Sequence, residues 1–521
     1  MRIGIDVGGT HTDAVILDQK NRIIATAKTP TTVDVTQGIV NVIQRLSTKC
    51  DLAKVEAIIV GTTHLLNALI QKKLNRVLVL RLGYPATTAA PPGINWDESM
   101  RQLIISESNF IIRGGYEYNG EKIADIDDEE LKKCVEQAIE SDIKSIAIIG
   151  VFSHVKNDQE IAVREKIKNF FPETDFSFSL SHELGGLGLL NRENATILNA
   201  ALEDAYLKLK TALLDVQKEL NLEHTKLYLT NSTGTMQEIS PKQKNHSPLL
   251  TLHSGPINSI RGAGICGDYK DAVVIDVGGT TTDIGILSQG LPLIENTDFR
   301  VAHNTNVTCE FSKARTLSTG LGGGSRIVFD ETKQTVCLLD ESVGYDLTTQ
   351  AICFGGKILT VTDIAIIANR LNLNAAGAKN SEETKKSLLE IYPYLNQPDI
   401  FESVFKEINL KIHEKLLNLL EETIASIESP PKKILMIGGG AALFDIDYLK
   451  EKLNNFYDMS IPENAQVINA AGAAIAQLGV QKTQVYNYAV ESRWQAVENL
   501  IREAIQQLLE QNVDISTIQV H

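Results

Sequence analysis

The chain has 521 residues, which is too long for one ordinary hydrophobic core, so we expect two or more domains. It is 43% hydrophobic and 22% charged, a balance that is typical of a folded globular protein and excludes a disordered chain. The net charge of −15 argues against nonspecific nucleic-acid binding, which needs clustered Lys and Arg, but not against nucleotide binding, because phosphates are held by local backbone dipoles.

The first part of the chain alternates between strand and helix patterns. Residues 2–29 predict three strands with tight turns, "RIGID", "AVILD" and "RIIATAKT". The next segment has helical spacing, with Ile39, Val42, Ile43 and Leu46 on one face. The strand "VEAIIVGTT", the helix "LLNALIQKKL" and the strand "RVLVLRLG" follow. This order predicts an α/β layer that starts with a strand meander.

A second α/β stretch follows an irregular segment at residues 84–120. Its predicted elements are the helix "DEELKKCVEQAIES", the strand "SIAIIGVF" and the helix "DQEIAVREKIKNFF". The segment "RENATILNAALEDAYLKLKTALLDVQKEL" is predicted to be one long amphipathic helix, and "KLYLTNSTG" a strand that enters a polar turn.

The opening unit recurs at residue 272, with the strand "AVVID", the turn "VGGTTTD" and the strand "IGILSQG". Residues 5–17 and 275–287 share ten identities in thirteen. The nonapeptides "IDVGGTHTD" and "IDVGGTTTD" differ only at His11 and Thr281. We therefore expect two related α/β domains in one chain.

The C-terminal part contains a third glycine cluster and two helical patterns. The segment "KKILMIGGGAALF" predicts a buried strand and a Gly-Gly-Gly turn, and "NAAGAAIAQLG" predicts an Ala-rich helix that can pack closely. The last pattern predicts an amphipathic helix for packing or for a partner. Its apolar face would consist of Trp494, Val497, Ile501, Ile505 and Leu508.

The cysteines and the start of the chain favour a cytoplasmic protein. The six cysteines form no CxxC pair and are thinly spread, which is typical of reduced thiols. Met-Arg leads directly into a strand pattern rather than a signal peptide, and no apolar run reaches the roughly 18 residues of a membrane span. We expect neither a membrane nor a nucleic acid among its partners.

The repeated Asp-Val-Gly-Gly-Thr phrase suits phosphate binding. Two glycines between strands allow a sharp turn whose N–H groups face an anion, and the threonine hydroxyls add donors. The preceding Asp would repel that anion unless a cation lay between them, so Mg²⁺ is implied. The turn is not a P-loop, because no Gly-Lys-Ser/Thr follows. A plain glycine hairpin remains the alternative for one copy, whereas two copies could grip a triphosphate from both sides of a cleft.

The three glycine motifs, in this order, resemble the phosphate, second phosphate and adenosine motifs of the sugar kinase/Hsp70/actin superfamily. A more specific set resembles the hydantoinase/oxoprolinase family, and in particular its short hydantoinase A-like ATPase subunits, over residues 2–480. That set is "IGIDVGGTHTDAVILD", "GTTHLLNALI", "NRENATILNAAL", "SGPINSIRGAG", "VVIDVGGTTTDIGIL", "LGGGSRIV", "ILTVTDIAI" and "MIGGGAAL".

The resemblance implies an α/β fold with duplicated actin-like ATPase (ribonuclease H-like) domains around an interdomain nucleotide cleft. It implies a hydantoinase/oxoprolinase N-terminal-like domain at residues 1–180 and a hydantoinase A-like ATPase domain at residues 181–485. The amphipathic C-terminal helix would occupy residues 486–521.

The resemblance also implies an activity. Relatives in this family use ATP to hydrolyse cyclic amides or to carboxylate ketones. We expect an ATP-dependent hydrolase subunit that phosphorylates the carbonyl oxygen of a hydantoin, a 5-oxoproline or another lactam before ring opening. It would need ATP, Mg²⁺, a second hydantoinase B-like subunit and possibly self-association. A small-molecule kinase of the same superfamily and a non-catalytic nucleotide switch remain alternatives.

Carried onto this chain, the resemblance assigns phosphate or nucleoside binding to the glycine motifs. The first hairpin would contribute Gly8, Gly9, Thr10, His11 and Thr12. The second hairpin would contribute Gly278, Gly279, Thr280 and Thr281. A further loop near the nucleotide would contain Gly322, Gly323 and Gly324. The adenosine motif would contain Gly438, Gly439 and Gly440. Position 11 departs from the family, where Phe is commoner, so His11 is either an extra donor or a space-filling residue.

The same resemblance assigns catalytic and metal roles. Asp6 and Asp276 would orient Mg²⁺ or a water molecule. Asp283 is either a metal ligand or a residue that closes the turn. His64 and His253 lie beside family motifs and are candidate catalysts on the substrate side, although a generic histidine is more often a core or surface residue.

Overall fold

The computed structural model describes residues 1–8, 11–31, 35–184, 186–241, 246–265, 269–300, 307–330, 335–511 and 513–520. The strands, in chain order, are β1 (Arg2–Val7), β2 (His11–Leu17), β3 (Ile23–Pro30), β4 (Ala57–Thr62), β5 (Val77–Tyr84), β6 (Asn109–Arg113), β7 (Ser145–Gly150), β8 (Ser177–Leu180), β9 (Lys226–Thr230), β10 (Thr235–Ile239), β11 (Ala272–Val277), β12 (Thr282–Ser288), β13 (Leu291–Pro292), β14 (Ile294–Arg300), β15 (Thr308–Ala314), β16 (Thr316–Thr319), β17 (Ser325–Asp330), β18 (Thr335–Ser342), β19 (Lys433–Ile437), β20 (Asp458–Ser460) and β21 (Gln477–Leu478).

The helices, in chain order, are α1 (Val35–Ser47), α2 (His64–Ile70), α3 (Glu98–Ile104), α4 (Asp128–Glu140), α5 (Asp158–Phe170), α6 (Leu189–Ala201), α7 (Glu203–Glu219), α8 (Ser254–Ile265), α9 (Leu347–Gln350), α10 (Val361–Ile367), α11 (Ser381–Ile391), α12 (Pro398–Ala425), α13 (Ile446–Lys452), α14 (Ile468–Ala474) and α15 (Arg493–Glu510). Every helix of the described part of the chain is too short or too polar to cross a membrane.

The first sheet has seven strands in the order β21-β10-β9-β4-β1-β2-β3. Strands β1, β2 and β3 form the predicted antiparallel meander, and β4 and β9 continue the sheet in parallel from β1. The predicted apolar face of α1 is buried against this sheet, at Ile39, Val42, Ile43 and Leu46. Strands β9 and β10, which follow residue 225, belong to the same sheet. The sheet therefore contains strands from both sides of the predicted domain boundary at residue 180.

The second sheet repeats the start of the first. Strands β11 and β12 pair antiparallel with Asp276 opposite Asp283, just as β1 and β2 pair with Asp6 opposite Asp13. Strand β19 lies parallel to β11, as β4 lies parallel to β1. The sheet order is β13-β12-β11-β19-β20, and β16 also pairs with β12. The predicted duplication is therefore present in the tertiary structure.

A third sheet, β6-β5-β7-β8, is fully parallel and lies in the sequence between β4 and β9. Strand β5 is buried at all of its residues except Tyr84, which is typical of a parallel strand covered on both faces. A buried ion pair fixes this sheet against α6, because Arg81 Nε lies 2.6 Å from Glu193 Oε2.

The prediction of one long helix after residue 191 is wrong, since α6 ends at Ala201 and α7 begins at Glu203. The carbonyl oxygen of Ala201 accepts a hydrogen bond from the backbone N–H of Asn75 at 2.8 Å, from outside the helix. Helix α6 is buried on all sides from Arg192 onward, whereas α7 has an exposed face. The break lets the chain leave the interior and continue along the surface.

The Ala-rich helix α14 packs between the two halves. A Cβ atom on Gly472 would lie 1.8 Å from the carbonyl oxygen of Asn258 on α8, and one on Gly4 of β1 would lie 2.0 Å from the carbonyl oxygen of Ala470. Only residues without a Cβ atom allow this close approach of backbones. By contrast, the predicted C-terminal helix is present as α15, but its Trp494 side chain is 83% exposed.

Candidate functional site

The first hairpin joins β1 and β2 at the edge of the first sheet. The backbone N–H of Gly8 donates to the carbonyl oxygen of His11 at 3.0 Å and closes the turn. The hydroxyl of Thr31 donates to the carbonyl oxygen of Gly8 at 2.8 Å and ties the end of β3 to the same turn. Thr12 is fully buried. Gly9 and Thr10, which were predicted to bind phosphate, lie outside the described residues.

The second hairpin is closed by an equivalent backbone hydrogen bond. The N–H of Gly278 donates to the carbonyl oxygen of Thr281 at 2.9 Å, which is the equivalent of the bond in the first turn. The hydroxyl of Thr282 donates to the carbonyl oxygen of Leu321 at 2.6 Å. Because a backbone carbonyl closes each turn, the closing hydrogen bond does not depend on whether His11 or Thr281 supplies the side chain.

The glycine loop at residues 322–324 lies directly on the second turn. The N–H groups of Gly323 and Gly324 donate to the carbonyl oxygens of Gly278 and Gly279 at 3.2 and 2.7 Å. A Cβ atom on Gly322 would lie 2.6 Å from the backbone nitrogen of Thr280. The loop therefore requires glycine because two backbone segments touch.

The third glycine turn, at residues 438–440, contacts the second hairpin from its other side. Gly438 has φ 87°, and a Cβ atom there would lie 2.4 Å from Asp276 Oδ1. The N–H of Gly440 donates to the carbonyl oxygen of Val277 at 2.8 Å. The second hairpin and both later glycine motifs thus meet at one place.

A cavity of about 390 Å³ opens beside this third turn. It combines Thr26 from β3 of the first sheet with Gly438 and Gly439 from the second half. The remaining lining residues are Ala441, Ala442, Ile461, Pro462, Asn464, Ala465, Gln466 and Val467. The cavity has an apolar wall and a small number of amide groups, a composition that suits a nucleoside.

Carboxylates from both hairpins lie close enough to interact electrostatically. Burial, together with the negative charges of Asp13 and Asp276, raises the pKa of Asp6 to about 7. Burial also raises the pKa of Asp276 and brings that of Asp283 to about 6. The acids therefore form a region of excess negative charge in which a cation would be stabilised.

These carboxylates fit a magnesium ion that is bound together with a phosphate. Within the described residues, no group of three or more His, Cys, Asp and Glu side chains could hold a metal on its own. Mg²⁺ in phosphate-transfer sites usually takes one or two protein carboxylates and completes its shell with water and phosphate oxygens. Asp6 and Asp276 offer that number of ligands. Both Asp276 and Asp283 also accept hydrogen bonds from neighbouring hydroxyl groups.

The two candidate histidines lie on elements that lead to the cleft. His64 starts α2 directly after β4, whose Thr62 is paired with Val7 beside the first turn. Burial lowers the pKa of His64, so the ring is neutral near pH 7. His253 has a left-handed backbone, with φ 57°, immediately before α8. Their catalytic role stays a prediction.

His11 is a neutral group in this environment. Burial lowers the pKa of His11 to about 4, and the positive charge of Lys28 acts in the same direction. An imidazole at this position can therefore accept or donate a hydrogen bond near neutral pH but carries no charge to a phosphate.

Two family descriptions match most of the chain. Residues 2–171 match the hydantoinase/oxoprolinase N-terminal region, and residues 192–482 match hydantoinase/oxoprolinase. The chain belongs to the hydantoinase/oxoprolinase family. This membership confirms the resemblance inferred from the motifs.

Relatives of this family member share its fold at low sequence identity. The gamma subunit of acetophenone carboxylase from Aromatoleum aromaticum is 25% identical over 403 residues, which cover 71% of this chain and 53% of that subunit. The chain thus spans about half the length of that relative. A nucleotide-free acetone carboxylase structure has a TM-score of 0.71 at 18% identity and covers 100% of this chain and 78% of its own. The structure of the ATP-dependent caprolactamase of Pseudomonas jessenii has a TM-score of 0.72 at 18% identity. The match covers 98% of this chain and 76% of the caprolactamase chain. The predicted fold class is confirmed.

The cleft of this hydantoinase/oxoprolinase family member also contains residues that motif reading missed. The hydroxyl of Ser259 donates to Asp276 Oδ2 at 2.6 Å, and Asn469 Nδ2 donates to the same oxygen at 3.3 Å. The ammonium group of Lys28 lies 3.2 Å from Asp13 Oδ1. Ser259 lies inside the family motif "SGPINSIRGAG", so the sequence could have indicated it as a residue of the site. Asn469 and Lys28 stand in an Ala-rich helix and in an edge strand, where spacing carries no such signal.

Proposed function

We propose that this chain is the ATP-binding subunit of an enzyme that activates the carbonyl oxygen of a cyclic amide by phosphorylation before ring opening. The observation that carries the proposal is the convergence of the second hairpin with both later glycine motifs, opposite the acids of the first hairpin. The segments 1–180, 181–485 and 486–521 are proposed as the corresponding domains.

The residues of the cleft suit phosphoryl transfer, which depends mainly on positioning and on charge neutralisation. The glycine turns at residues 278–280 and 322–324 bring backbone groups close to a bound phosphate without side chains in the way. Asp6 and Asp276 would hold Mg²⁺, which supplies positive charge to the phosphate oxygens. The amide carbonyl oxygen would attack the γ-phosphorus while the bond to the β-phosphate oxygen breaks and ADP leaves. Water would then add to the activated carbon, and the ring C–N bond would break with transfer of a proton to the nitrogen. A second water molecule would hydrolyse the resulting acyl phosphate to a carboxylate and phosphate.

The names of the relatives favour a carbonyl substrate but allow two classes. Caprolactamase acts on a lactam, which suits the cyclic-amide proposal. Acetophenone and acetone carboxylases act on ketones, and this observation makes ATP-dependent ketone carboxylation the second candidate. Because the acetophenone carboxylase relative is a gamma subunit, we also propose a second protein subunit as partner.

The experiment that tests the proposal measures ADP release by the full chain with ATP and Mg²⁺, alone and with a candidate second subunit. Caprolactam, hydantoin and 5-oxoproline form one panel, and acetone or acetophenone with bicarbonate form the other. Stimulation by a lactam, with ring-opened product, supports the leading proposal, and stimulation only by ketones supports the second. If neither panel stimulates ADP release with the partner present, both the cyclic-amide and the ketone proposals are wrong.

Asp276→Asn serves as the active-site variant in this experiment. Loss of the carboxylate charge is expected to reduce ADP release by roughly 100-fold. The same change is expected to raise the melting temperature, because burial makes the charged form of Asp276 unfavourable. A decrease in both activity and stability would point to a structural role instead.

A further inference from the structure

Lys28 lies between the first hairpin and the cavity. Its ammonium nitrogen is 3.2 Å from Asp13 Oδ1 and 3.4 Å from Asp13 Oδ2, and the two side chains are 32% and 13% exposed. The pair stands on neighbouring strands, since Asp13 of β2 is paired with Lys28 of β3. The lysine is thus held against Asp13 rather than extended into solvent.

The same ammonium group reaches the other half of the molecule. A Cβ atom on Gly439 would lie 3.7 Å from Lys28 Nζ. The neighbouring residue Gly438 touches Asp276 of the second hairpin. Lys28 therefore belongs to the first sheet, but its ammonium group lies beside the glycine turn of the second.

Strand β3 presents one face to the cleft and the other to the core. Ala25, Ala27 and Thr29 are buried, and the alternate residues Thr26 and Lys28 face outward. Thr26 lines the cavity of about 390 Å³. Alternate residues on a strand are about 7 Å apart. A nucleoside in the cavity would thus place its first phosphates beside Lys28, on the way to the hairpins.

The surroundings of Lys28 are strongly acidic. Its charge lowers the pKa values of Asp6 and Asp13, which burial raises. A cation among carboxylates lowers the repulsion that a polyphosphate would otherwise meet.

We propose that Lys28 binds the α- or β-phosphate of a nucleotide from the first half of the chain, after exchanging Asp13 for that phosphate. The inference rests on the proposed function, because it assumes a nucleotide in this cleft. The alternative is that Lys28 serves only as a counter-ion for Asp13.

The test measures binding by isothermal titration calorimetry of the full chain. The ligands are ADP and a non-hydrolysable ATP analogue, each with Mg²⁺, and adenosine, which lacks phosphate. Lys28→Met is expected to weaken binding of both nucleotides by about 10-fold to 100-fold, as for the loss of a charge-assisted hydrogen bond, and binding of adenosine by less than about 2-fold. Lys28→Arg is expected to restore most of the nucleotide affinity.

Two further variants control for folding. Lys28→Met combined with Asp13→Asn removes the orphaned carboxylate and is expected to show the same selective loss of nucleotide affinity. Lys433→Met breaks another strand-to-strand lysine–aspartate pair, with Asp458 at 2.9 Å, and is expected to bind all three ligands as the wild type does.

The outcomes separate this inference from the proposed function. Unchanged nucleotide affinity in the Lys28→Met variant would overturn the inference and leave the proposed function intact. Equal losses for nucleotides and adenosine would also overturn it, since they would indicate a distorted cavity. Failure of the wild-type chain to bind any nucleotide would overturn both.

Discussion

Asn469 Nδ2 donates a hydrogen bond to Asp276 Oδ2 at 3.3 Å, from a helix that packs between the two halves of the molecule. The same amide also lies close enough to Asp6 of the first hairpin to lower the pKa that burial raises to about 7. One side chain on α14 thus links the equivalent acids of both repeats. The two hairpins are therefore coupled, because one residue interacts with a carboxylate of each.

Asn469→Ala is expected to weaken this link. Loss of the hydrogen bonds should lower the free energy of unfolding by about 1 kcal/mol and turnover by roughly 10-fold. Because these bonds lower the pKa values of Asp6 and Asp276, the acid limb of the pH–activity profile should move to higher pH. Asn396→Ala, which removes an exposed amide bonded to Pro393, is the control. A lower turnover with an unchanged pH profile would mean that Asn469 acts only in packing.

The ionisation of Asp6 is expected to make stability depend on pH. An unfolded chain ionises this carboxyl near pH 4, whereas burial raises the folded-state pKa to about 7. The folded state therefore holds an extra proton, and the contribution of Asp6 to stability is lost as the pH rises through this window. Between pH 5 and pH 8, the free energy of unfolding of Asp6→Asn should rise relative to that of the wild type by on the order of 2 kcal/mol.

Urea unfolding of the nucleotide-free chain at several pH values measures this difference. The comparison with Asp6→Asn is needed because burial lowers the pKa of His64 and His413, which has the opposite effect on the pH dependence. Asp458→Asn changes an exposed carboxyl, so its free energy of unfolding should depend on pH over this range as that of the wild type does. Parallel curves for Asp6→Asn and the wild type would refute the raised pKa.

Gly322→Ala is expected to displace the second phosphate turn. The added Cβ atom would lie 2.6 Å from the backbone nitrogen of Thr280 and 2.8 Å from the carbonyl oxygen of Gly278, and backbone cannot move aside as a flexible side chain can. A destabilisation of about 1–3 kcal/mol and weaker ATP binding should follow. Gly255→Ala is the stability control, because its Cβ atom would meet no atom within 4 Å. Equal melting temperatures for the two variants would contradict the close approach.

His11→Thr is expected to have little effect on catalysis. The carbonyl oxygen of residue 11 closes the turn, as that of Thr281 does in the second hairpin, so the side chain is dispensable for the backbone geometry. Burial lowers the pKa of His11 to about 4, and the ring is neutral at pH 7. Turnover should change by less than about 3-fold, with the same pH dependence from pH 6 to pH 8. A profile that changes near neutrality would instead assign His11 a role in proton transfer.

The prediction of the hairpins succeeded because the contacts that shape them are local. Gly8 and His11 are three residues apart, as are Gly278 and Thr281, so a short motif contains both partners of the closing bond. The prediction of one long helix failed for the opposite reason. Its break at Leu202 follows from a hydrogen bond between Ala201 and the distant Asn75, which no helical pattern can reveal.

The site was only partly predictable for the same reason. The glycine motifs at residues 322–324 and 438–440 were assigned to a nucleotide through the family resemblance, because they reach the second turn by long-range packing. Lys28 and Asn469 were missed, since their partners lie on other strands or in the other half of the molecule.

The sequence by itself determined the duplication, the two Gly-Gly-Thr hairpins and the family, because these depend on residue identity within short segments. Only the tertiary structure decided that Asn469 joins both acids, that Lys28 crosses the cleft and that the carboxyl of Asp6 titrates near neutrality. Hydrogen bonding, desolvation and Coulomb interactions act through space, over a few ångströms, and therefore depend on which distant segments the fold brings together.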